Sequence, residues 1–171
     1  MGMLENKRLL ITGILTDSSI AFGVAQLALS EGAEVVVTGA GRGLRLTERT
    51  AKKLDGDVEV MEFDVTDPSH VSQIQNSLSD KWGNVDGALH AIGFMPEIGL
   101  GEDFLAGQWE DLSPGFEISA YSLKTIAETV CPLMPNGGSI VGLDFDASFA
   151  WPAYNWMGVA KAALESASRY L

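Results

Sequence analysis

The sequence is poor in cysteine, in basic residues and in long apolar runs. Its 171 residues include one cysteine, Cys131, which excludes an internal disulfide and favours a reducing compartment. Only 11 Lys and Arg stand against 23 Asp and Glu, so the net charge is −12. That charge argues against nucleic-acid binding, which needs a basic surface. No apolar run approaches about 20 residues and no signal-peptide core precedes the first strand, so we expect a cytoplasmic protein without a membrane span.

Short apolar segments alternate with helical patterns along the whole chain. The predicted strands are Arg8–Gly13, Val35–Thr38, Val58–Phe63, Asp86–Ile92 and Ser139–Leu143. The predicted helices run from an N-cap at Ser18 or Ser19 to Gly32, over Arg42–Leu54, from Asp67-Pro68 to Gly83, over Phe116–Met134, and from Pro152 to the last residue. Residues 97–114 read as a loop with at most a short helix. The alternation predicts an α/β fold, a doubly wound parallel sheet of the Rossmann type in a single domain over residues 1–171. Such a sheet usually continues to a sixth strand, so we expect this chain to be a fragment.

The first strand ends at a glycine, Gly13, where a dinucleotide pyrophosphate would sit in such a sheet. A missing side chain lets the backbone approach phosphate, and the next helix N-terminus supplies N–H groups and a positive dipole end. The standard G-x-G-x-x-G motif is absent, because Leu15 and Ser18 replace its second and third glycines. An ordinary strand-to-helix turn is the alternative interpretation.

Two further strand ends carry residues suited to a dinucleotide. Asp64-Val65 follows the third strand, where a carboxylate can accept a hydrogen bond from an adenine amino group. Ile92-Gly93 follows the fourth strand, where a glycine admits a ribose and nicotinamide. Each pair also fits a simple turn. Together with Gly13 they predict a dinucleotide enzyme, with its site beyond the carboxyl ends of the strands.

Tyr154 and Lys161 open the last predicted helix, seven residues apart. Seven residues are nearly two turns, so both side chains leave one face, about 10 Å apart along the axis. The lysine could hold a nicotinamide ribose and lower the pKa of the phenol, which could then serve a developing enolate or alkoxide. The alternative is a helix with a surface lysine and a half-buried tyrosine.

The sequence predicts no metal site. His70 and His90 have no cysteine or carboxylate at ligand spacing, and we interpret them as a helix-surface and a strand histidine. Asp144 and Asp146 flank Phe145, and we expect their carboxylates to face apart.

Four stretches of this sequence resemble the enoyl-acyl-carrier-protein reductases of the short-chain dehydrogenase/reductase superfamily. They are Gly13 followed after five residues by Ser19-Ile20-Ala21, then His90–Pro96, Ser139–Asp146 and Pro152–Lys161. Most superfamily members carry Tyr-x-x-x-Lys, whereas Gly158 occupies that lysine position here and Lys161 gives Tyr-x6-Lys. Phe145 is similar to the phenylalanine of the NADH-dependent branch that acts on long acyl chains.

The resemblance implies reduction of a trans-2-enoyl thioester on acyl carrier protein or coenzyme A, with hydride from NADH to C3. It implies that Tyr154 donates a hydrogen bond to the thioester oxygen, Lys161 binds the nicotinamide ribose, and Phe145 orients the substrate. Phe94 and Met157 would line the acyl pocket. The implied NADH contacts are Gly13, Ile14, Ser19, Ile20, Asp64, Val65, Ile92, Gly93 and Lys161. The resemblance also implies a homotetramer, and a substrate loop and last strands that this chain lacks.

Three alternatives stay open. The second strand ends in Thr38-Gly39-Ala40-Gly41-Arg42, without the acidic residue that usually binds the 2′-hydroxyl of NAD, so Arg42 could meet the 2′-phosphate of NADPH. A second alternative is that the protein is another short-chain reductase, which acts on a 3-ketoacyl thioester or another carbonyl. Phe145 and Gly158 argue against it. The third is a non-catalytic dinucleotide-binding protein or an inactive fragment.

Overall fold

A computed structural model describes residues 2–171 and contains one five-stranded sheet with the strand order β3-β2-β1-β4-β5. Its strands are β1 Arg8–Thr12, β2 Glu34–Gly39, β3 Glu59–Glu62, β4 Gly87–His90 and β5 Ser139–Gly142. β1 pairs in parallel with both β2 and β4, and β2 pairs in parallel with β3. The predicted doubly wound, Rossmann-like fold is confirmed.

Six α-helices alternate with these strands: α1 Ile20–Ser30, α2 Gly41–Ala51, α3 Pro68–Trp82, α4 Trp109–Phe116, α5 Ser122–Val130 and α6 Asn155–Ser168. Two 3-10 turns, Glu97–Gly99 and Cys131–Leu133, and a π-helical segment, Glu117–Tyr121, complete the regular structure described. Within residues 2–171, no helix combines the length and apolar character needed to cross a bilayer.

The chain divides into two compact units. The first contains the residues up to Ala91 together with Ile126–Val141, and the second contains Ile92–Thr125 and Gly142–Leu171. The first unit is built around β1, β2 and β4, which have buried residues on both faces, and its fully buried side chains include Leu10, Ile11, Val36, Val37 and Leu78. The second has its own small core of Met95, Leu112 and Ala160, against which Phe116, Trp156 and Met157 pack.

The helix ends predicted for α1 and α3 are confirmed. Ser19 is the N-cap of α1, and Gly32 follows the helix with φ +91°. Asp67 caps α3 by accepting from the backbone N–H of Ser69, with Pro68 in the first turn. Gly83 closes α3 with φ +76°, a value that favours glycine.

The helix predicted over Phe116–Met134 was placed too late. Helical structure already begins at Trp109, where Gln108 and Asp111 form a reciprocal capping box, and it continues through a π-helical segment to Val130. Pro114 inside α4 obscured this start in the sequence, since proline usually ends a helical pattern.

The last helix and the burial of β5 also differ from the prediction. The last helix begins at Asn155 and ends at Ser168, short of the last residue. Unlike the other four strands, β5 contains no buried residue, and its Val141 is 53% exposed. β5 lies at the edge of the sheet.

Candidate active and cofactor site

Gly13 leaves β1 in a conformation that requires glycine. Its φ is +84°, and a Cβ at this position would overlap the carbonyl oxygen of Ala91. The glycine therefore brings the backbone after β1 against the backbone after β4 within the first unit. Ile14, the next residue, is completely buried, and its side chain belongs to the core.

The loop between β1 and α1 is held by the predicted cofactor residue Ser19. The Ser19 hydroxyl accepts from the backbone N–H groups of Leu15 at 3.2 Å and Thr16 at 3.1 Å. Its neighbour Ile20 begins α1 and is 69% exposed. The first N–H groups of a helix lack intrahelical acceptors, so this turn presents donors suited to an anion.

Asp64 follows β3, and both its backbone and its side chain make hydrogen bonds. Its Oδ1 accepts from the Thr66 backbone N–H at 2.9 Å and the Thr66 hydroxyl at 2.7 Å. Its backbone N–H donates to Nδ1 of His70 at 2.9 Å. His70 is therefore not simply a helix-surface residue, since only 18% of its side chain is exposed and it fixes this turn. Val65 beside it is half-buried.

Tyr154 and Phe145 meet in the second unit. Their ring centroids lie 4.5 Å apart with the planes inclined by 40°, and the Tyr154 side chain remains 46% exposed. Tyr154 is the N-cap residue of α6. The structure thus brings two of the three predicted catalytic residues into direct contact.

The backbone around Tyr154 is strained. Ala153 and Asn155 on either side have φ +66° and +47°, a region that non-glycine residues rarely adopt. The side-chain nitrogen and oxygen of Asn155 are also buried without a protein hydrogen-bond partner. Strain and unsatisfied polar atoms cluster at functional sites more often than elsewhere, and here they frame the predicted catalytic tyrosine.

Lys161, the third predicted catalytic residue, is 8% exposed. Its Nζ donates to the carbonyl oxygen of Leu143 at 2.8 Å, immediately after β5. Burial lowers the pKa of Lys161, and the charge of Asp144 opposes that shift. Gly93 lies beside it, since a Cβ on Gly93 would be 3.9 Å from the Lys161 Cε. Ile92, adjacent to Gly93, is half-buried.

The predicted substrate residues Phe94 and Met157 differ in their surroundings. Phe94 is 46% exposed, whereas Met157 packs against the Met95, Leu112 and Ala160 core. The backbone of Phe94 is clamped by Ser119, whose hydroxyl accepts from the Phe94 N–H at 2.8 Å and donates to its carbonyl at 2.6 Å. Sequence reasoning missed Ser119, and the available signal was a polar residue within an apolar helical face.

The carboxylates of Asp144 and Asp146 have separate partners. Asp144 Oδ1 accepts from the backbone N–H of Phe145 at 2.8 Å, whereas Asp146 Oδ1 accepts from the backbone and hydroxyl of Ser148. They do not act as a catalytic pair in this geometry. Within residues 2–171 no group of three or more His, Cys, Asp and Glu side chains is arranged to hold a metal ion.

The predicted cofactor residues fall into both units. Gly13, Ile14, Ser19, Ile20, Asp64 and Val65 belong to the first, and Ile92, Gly93 and Lys161 to the second. The predicted catalytic residues and Phe94 and Met157 all belong to the second.

Comparison with known proteins shows the family of this chain. The sequence matches the family model described as enoyl-(acyl carrier protein) reductase over residues 13–171. It is 48% identical to the enoyl-[acyl-carrier-protein] reductase [NADH] of Mycolicibacterium smegmatis and 44% identical to that of Mycobacterium avium. It is 39% identical to the enoyl-[acyl-carrier-protein] reductase [NADH] FabI of Neisseria meningitidis. The alignment with each of these three relatives covers 99% of this chain.

The doubly wound sheet and the matching family model define the class of this protein as a Rossmann-like member of the short-chain dehydrogenase/reductase type. Within that class, the chain belongs to the enoyl-(acyl carrier protein) reductase family. It covers 64% of the length of the M. smegmatis and M. avium relatives and 66% of the N. meningitidis relative.

Proposed function

We propose that this chain carries the dinucleotide site and the catalytic residues of an NADH-dependent enoyl-acyl-carrier-protein reductase. The reaction is reduction of the 2,3 double bond of a trans-2-enoyl thioester in fatty acid elongation. The observation that carries the proposal is the grouping of Tyr154 with Phe145, and of Lys161 with Gly93, in one compact unit of a chain from this family.

Lys161 would bind the ribose next to the nicotinamide. Its buried ammonium is already oriented by the carbonyl of Leu143, so little side-chain freedom remains to be lost on binding. An ammonium has three N–H donors, and the Leu143 carbonyl uses one of them. Two donors remain for ribose hydroxyls, and Gly93 beside the lysine leaves room for the sugar. Bound NADH supplies the hydride.

Tyr154 would stabilise the charge that forms on the substrate. Hydride addition at C3 places negative charge on the thioester oxygen, and a phenol hydrogen bond to that oxygen strengthens as the charge develops. Phe145 against the tyrosine ring limits the orientations of the phenol and offers an apolar surface to the acyl chain. Phe94 and the exposed edge of Met157 would extend that surface.

The residues of the first unit suit the rest of the cofactor. The N-terminus of α1, with Ser19 and Ile20, would receive the pyrophosphate, and the close backbone at Gly13 and Ile14 would line it. The N–H and the hydroxyl of Thr66 both donate to Oδ1 of Asp64. Oδ2 is therefore the oxygen suited to the adenine amino group, and Val65 would lie against the adenine ring.

NADPH is a second candidate cofactor, favoured by one feature. β2 leads through Gly39 and Ala40 into α2 without a carboxylate, and Arg42 lies in the first turn of that helix. The relatives named above are NADH enzymes, which supports NADH.

We propose further that acyl carrier protein carries the substrate and that the enzyme is a cytoplasmic homotetramer. Self-association is supported by a groove of about 740 Å³ in the second unit, whose lining includes Trp109, Tyr121 and Tyr170. These three side chains are 62%, 59% and 91% exposed. The single cysteine supports a reducing compartment.

The test follows the absorbance of reduced nicotinamide with NADH and NADPH in parallel. A long trans-2-enoyl thioester and a 3-ketoacyl thioester serve as rival substrates, and both this chain and a version extended past Leu171 are assayed. We expect turnover of the enoyl thioester with NADH. Turnover of only the ketoacyl substrate, or NADH binding without turnover in the extended chain, would overturn the proposal in favour of another reductase or a binding protein.

A further inference from the structure

Three side chains spaced three residues apart connect the second helix to the loop after β1. Thr47 and Thr50 lie on one face of α2, and Lys53 continues that face in the turn after the helix. In order, they contact Ile14, Leu15 and Asp17. The α2 clasp, as we call Thr47, Thr50 and Lys53, therefore contacts the same loop whose N–H groups bond the Ser19 hydroxyl.

The Thr47 bond is buried and short, whereas the Thr50 bond is part-buried and of ordinary length. The Thr47 hydroxyl donates to the Ile14 carbonyl at 2.6 Å, and the Thr50 hydroxyl donates to the Leu15 carbonyl at 2.9 Å. Thr47 is completely buried and Thr50 is 5% exposed. The third contact, Lys53 Nζ to Asp17 Oδ2 at 2.5 Å, is about half exposed and therefore contributes little stability.

The bond from Thr47 leaves its own helix. A threonine inside a helix commonly bonds the carbonyl four residues earlier, which here is Gly43 at the longer distance of 3.2 Å. The shorter bond goes to Ile14. Gly39 makes this possible, because a Cβ there would lie 2.6 Å from the Thr47 hydroxyl and 3.1 Å from the Cα of Leu44.

The loop is thus held through both its carbonyl and its N–H groups. Leu15 gives its carbonyl to Thr50 and its N–H to the Ser19 hydroxyl, so both of its backbone polar groups are satisfied. Carbonyl oxygens carry partial negative charge and would repel a phosphate. The clasp directs those of Ile14 and Leu15 at α2 and satisfies them there.

We propose that Thr47 and Thr50 are positioning residues that hold loop 14–19 in the conformation that receives the dinucleotide pyrophosphate. This inference rests on the proposed function. Neither threonine contacts the cofactor. They act by removing the freedom of the loop, which would otherwise be lost when the cofactor binds.

The test compares Thr47→Val, Thr50→Val and the double variant with the unaltered chain. Valine keeps the shape and removes the donor, leaving the carbonyl of Ile14 or Leu15 without its threonine partner. NADH affinity is measured by fluorescence titration well below the unfolding temperature, and amide hydrogen exchange is followed at Leu15, Thr16 and Ser19. We expect each valine to weaken NADH binding on the order of tenfold, with faster exchange at these amides.

Two further variants separate positioning from general stability. Thr47→Ser keeps the hydroxyl and should restore affinity. Ser30→Ala removes a hydroxyl-to-carbonyl bond at the far end of α1 and should leave affinity unchanged. Where turnover is measurable, we expect kcat at saturating NADH to be retained in the valine variants while KM for NADH rises.

Folded valine variants that bind NADH as tightly as the unaltered chain would overturn the inference, even if they unfold at lower temperature. So would weaker binding with unchanged loop exchange. An unaltered chain that binds no NADH would overturn the proposed dinucleotide site, and the inference with it, which distinguishes that failure from failure of the clasp alone.

Discussion

The aromatic rings of Phe145 and Tyr154 lie against each other, with centroids 4.5 Å apart. The two residues are nine positions apart along the chain, and the backbone between them carries a left-handed residue, Ala153, just before the tyrosine. The contact sets the direction of the phenol before any substrate arrives. Predictions about this site can therefore separate the hydroxyl of Tyr154 from the packing of its ring.

Tyr154→Phe should lower kcat on the order of a hundredfold while NADH affinity changes little. The substitution keeps the ring packed on Phe145 and removes only the hydrogen bond made to developing charge. Steady-state kinetics with the enoyl thioester and an NADH titration check this. Turnover equal to that of the unaltered protein would remove Tyr154 from the proposed role.

Lys161→Ala should weaken NADH binding, because it removes the buried ammonium beside Gly93. We expect a loss of about tenfold or more, the usual scale for a charged hydrogen-bond donor. Lys81→Ala, which removes an exposed lysine paired with Glu59, is the matched control and should bind as before. An isothermal titration that finds equal affinity for all three proteins would contradict the ribose role.

Asp144→Asn should stabilise the protein at neutral pH but not in acid. Desolvation raises the pKa of the Asp144 carboxyl, against the Phe145 N–H and the charge of Lys161. The folded state therefore holds its proton more tightly than the unfolded state, whose pKa is about 3.9. Wild-type stability falls as pH rises from about 3.9 through the raised pKa, and asparagine does not titrate. Denaturant midpoints from pH 3 to 7 measure the difference.

Asp146→Asn should show the opposite pattern. The Ser148 hydroxyl and then the Ser148 N–H lower the pKa of Asp146. Its charged form therefore contributes stability that is present above about pH 3.9 and lost as pH falls through the lowered pKa. The variant should be less stable than the wild type at pH 7 and converge with it in acid. If the denaturant midpoints of both asparagine variants ran parallel to those of the wild type across this pH range, the predicted pKa shifts of Asp144 and Asp146 in the folded protein would be wrong.

Gly13→Ala and Gly23→Ala should change stability in opposite directions. Alanine at Gly13 would face a φ of +84° and overlap the Ala91 carbonyl, so we expect a loss of at least about 1–2 kcal/mol. Gly23 lies inside α1 with open space around it, and alanine there should add about 0.5–1 kcal/mol. Urea unfolding of both variants measures this. A tolerated alanine at position 13 would mean that the turn can relax.

Much of the fold could be predicted because its determinants are local. Ser19, the Asp67-Pro68 pair and Gly83 act within one helical turn of the ends that they mark. Periods of apolar residues set the strands, and the alternation of strands with helices defines the sheet type. The start of α4 at Trp109 was not predicted, because a proline such as Pro114 usually ends a helical pattern. The helix nevertheless accommodates it.

By itself, the sequence determined the sheet class, the strand ends at which candidate residues lie, and the tyrosine and lysine of α6, since periodicity and motif spacing depend on near neighbours. Only the tertiary structure decided which atoms meet across long separations. Thr47 and Thr50 bond a loop more than 30 residues earlier, and Ser119 bonds Phe94 across 25 residues. Such contacts depend on backbone positions that are set by the packing of the whole chain. The local sequence of one segment therefore does not predict which distant residue it will contact.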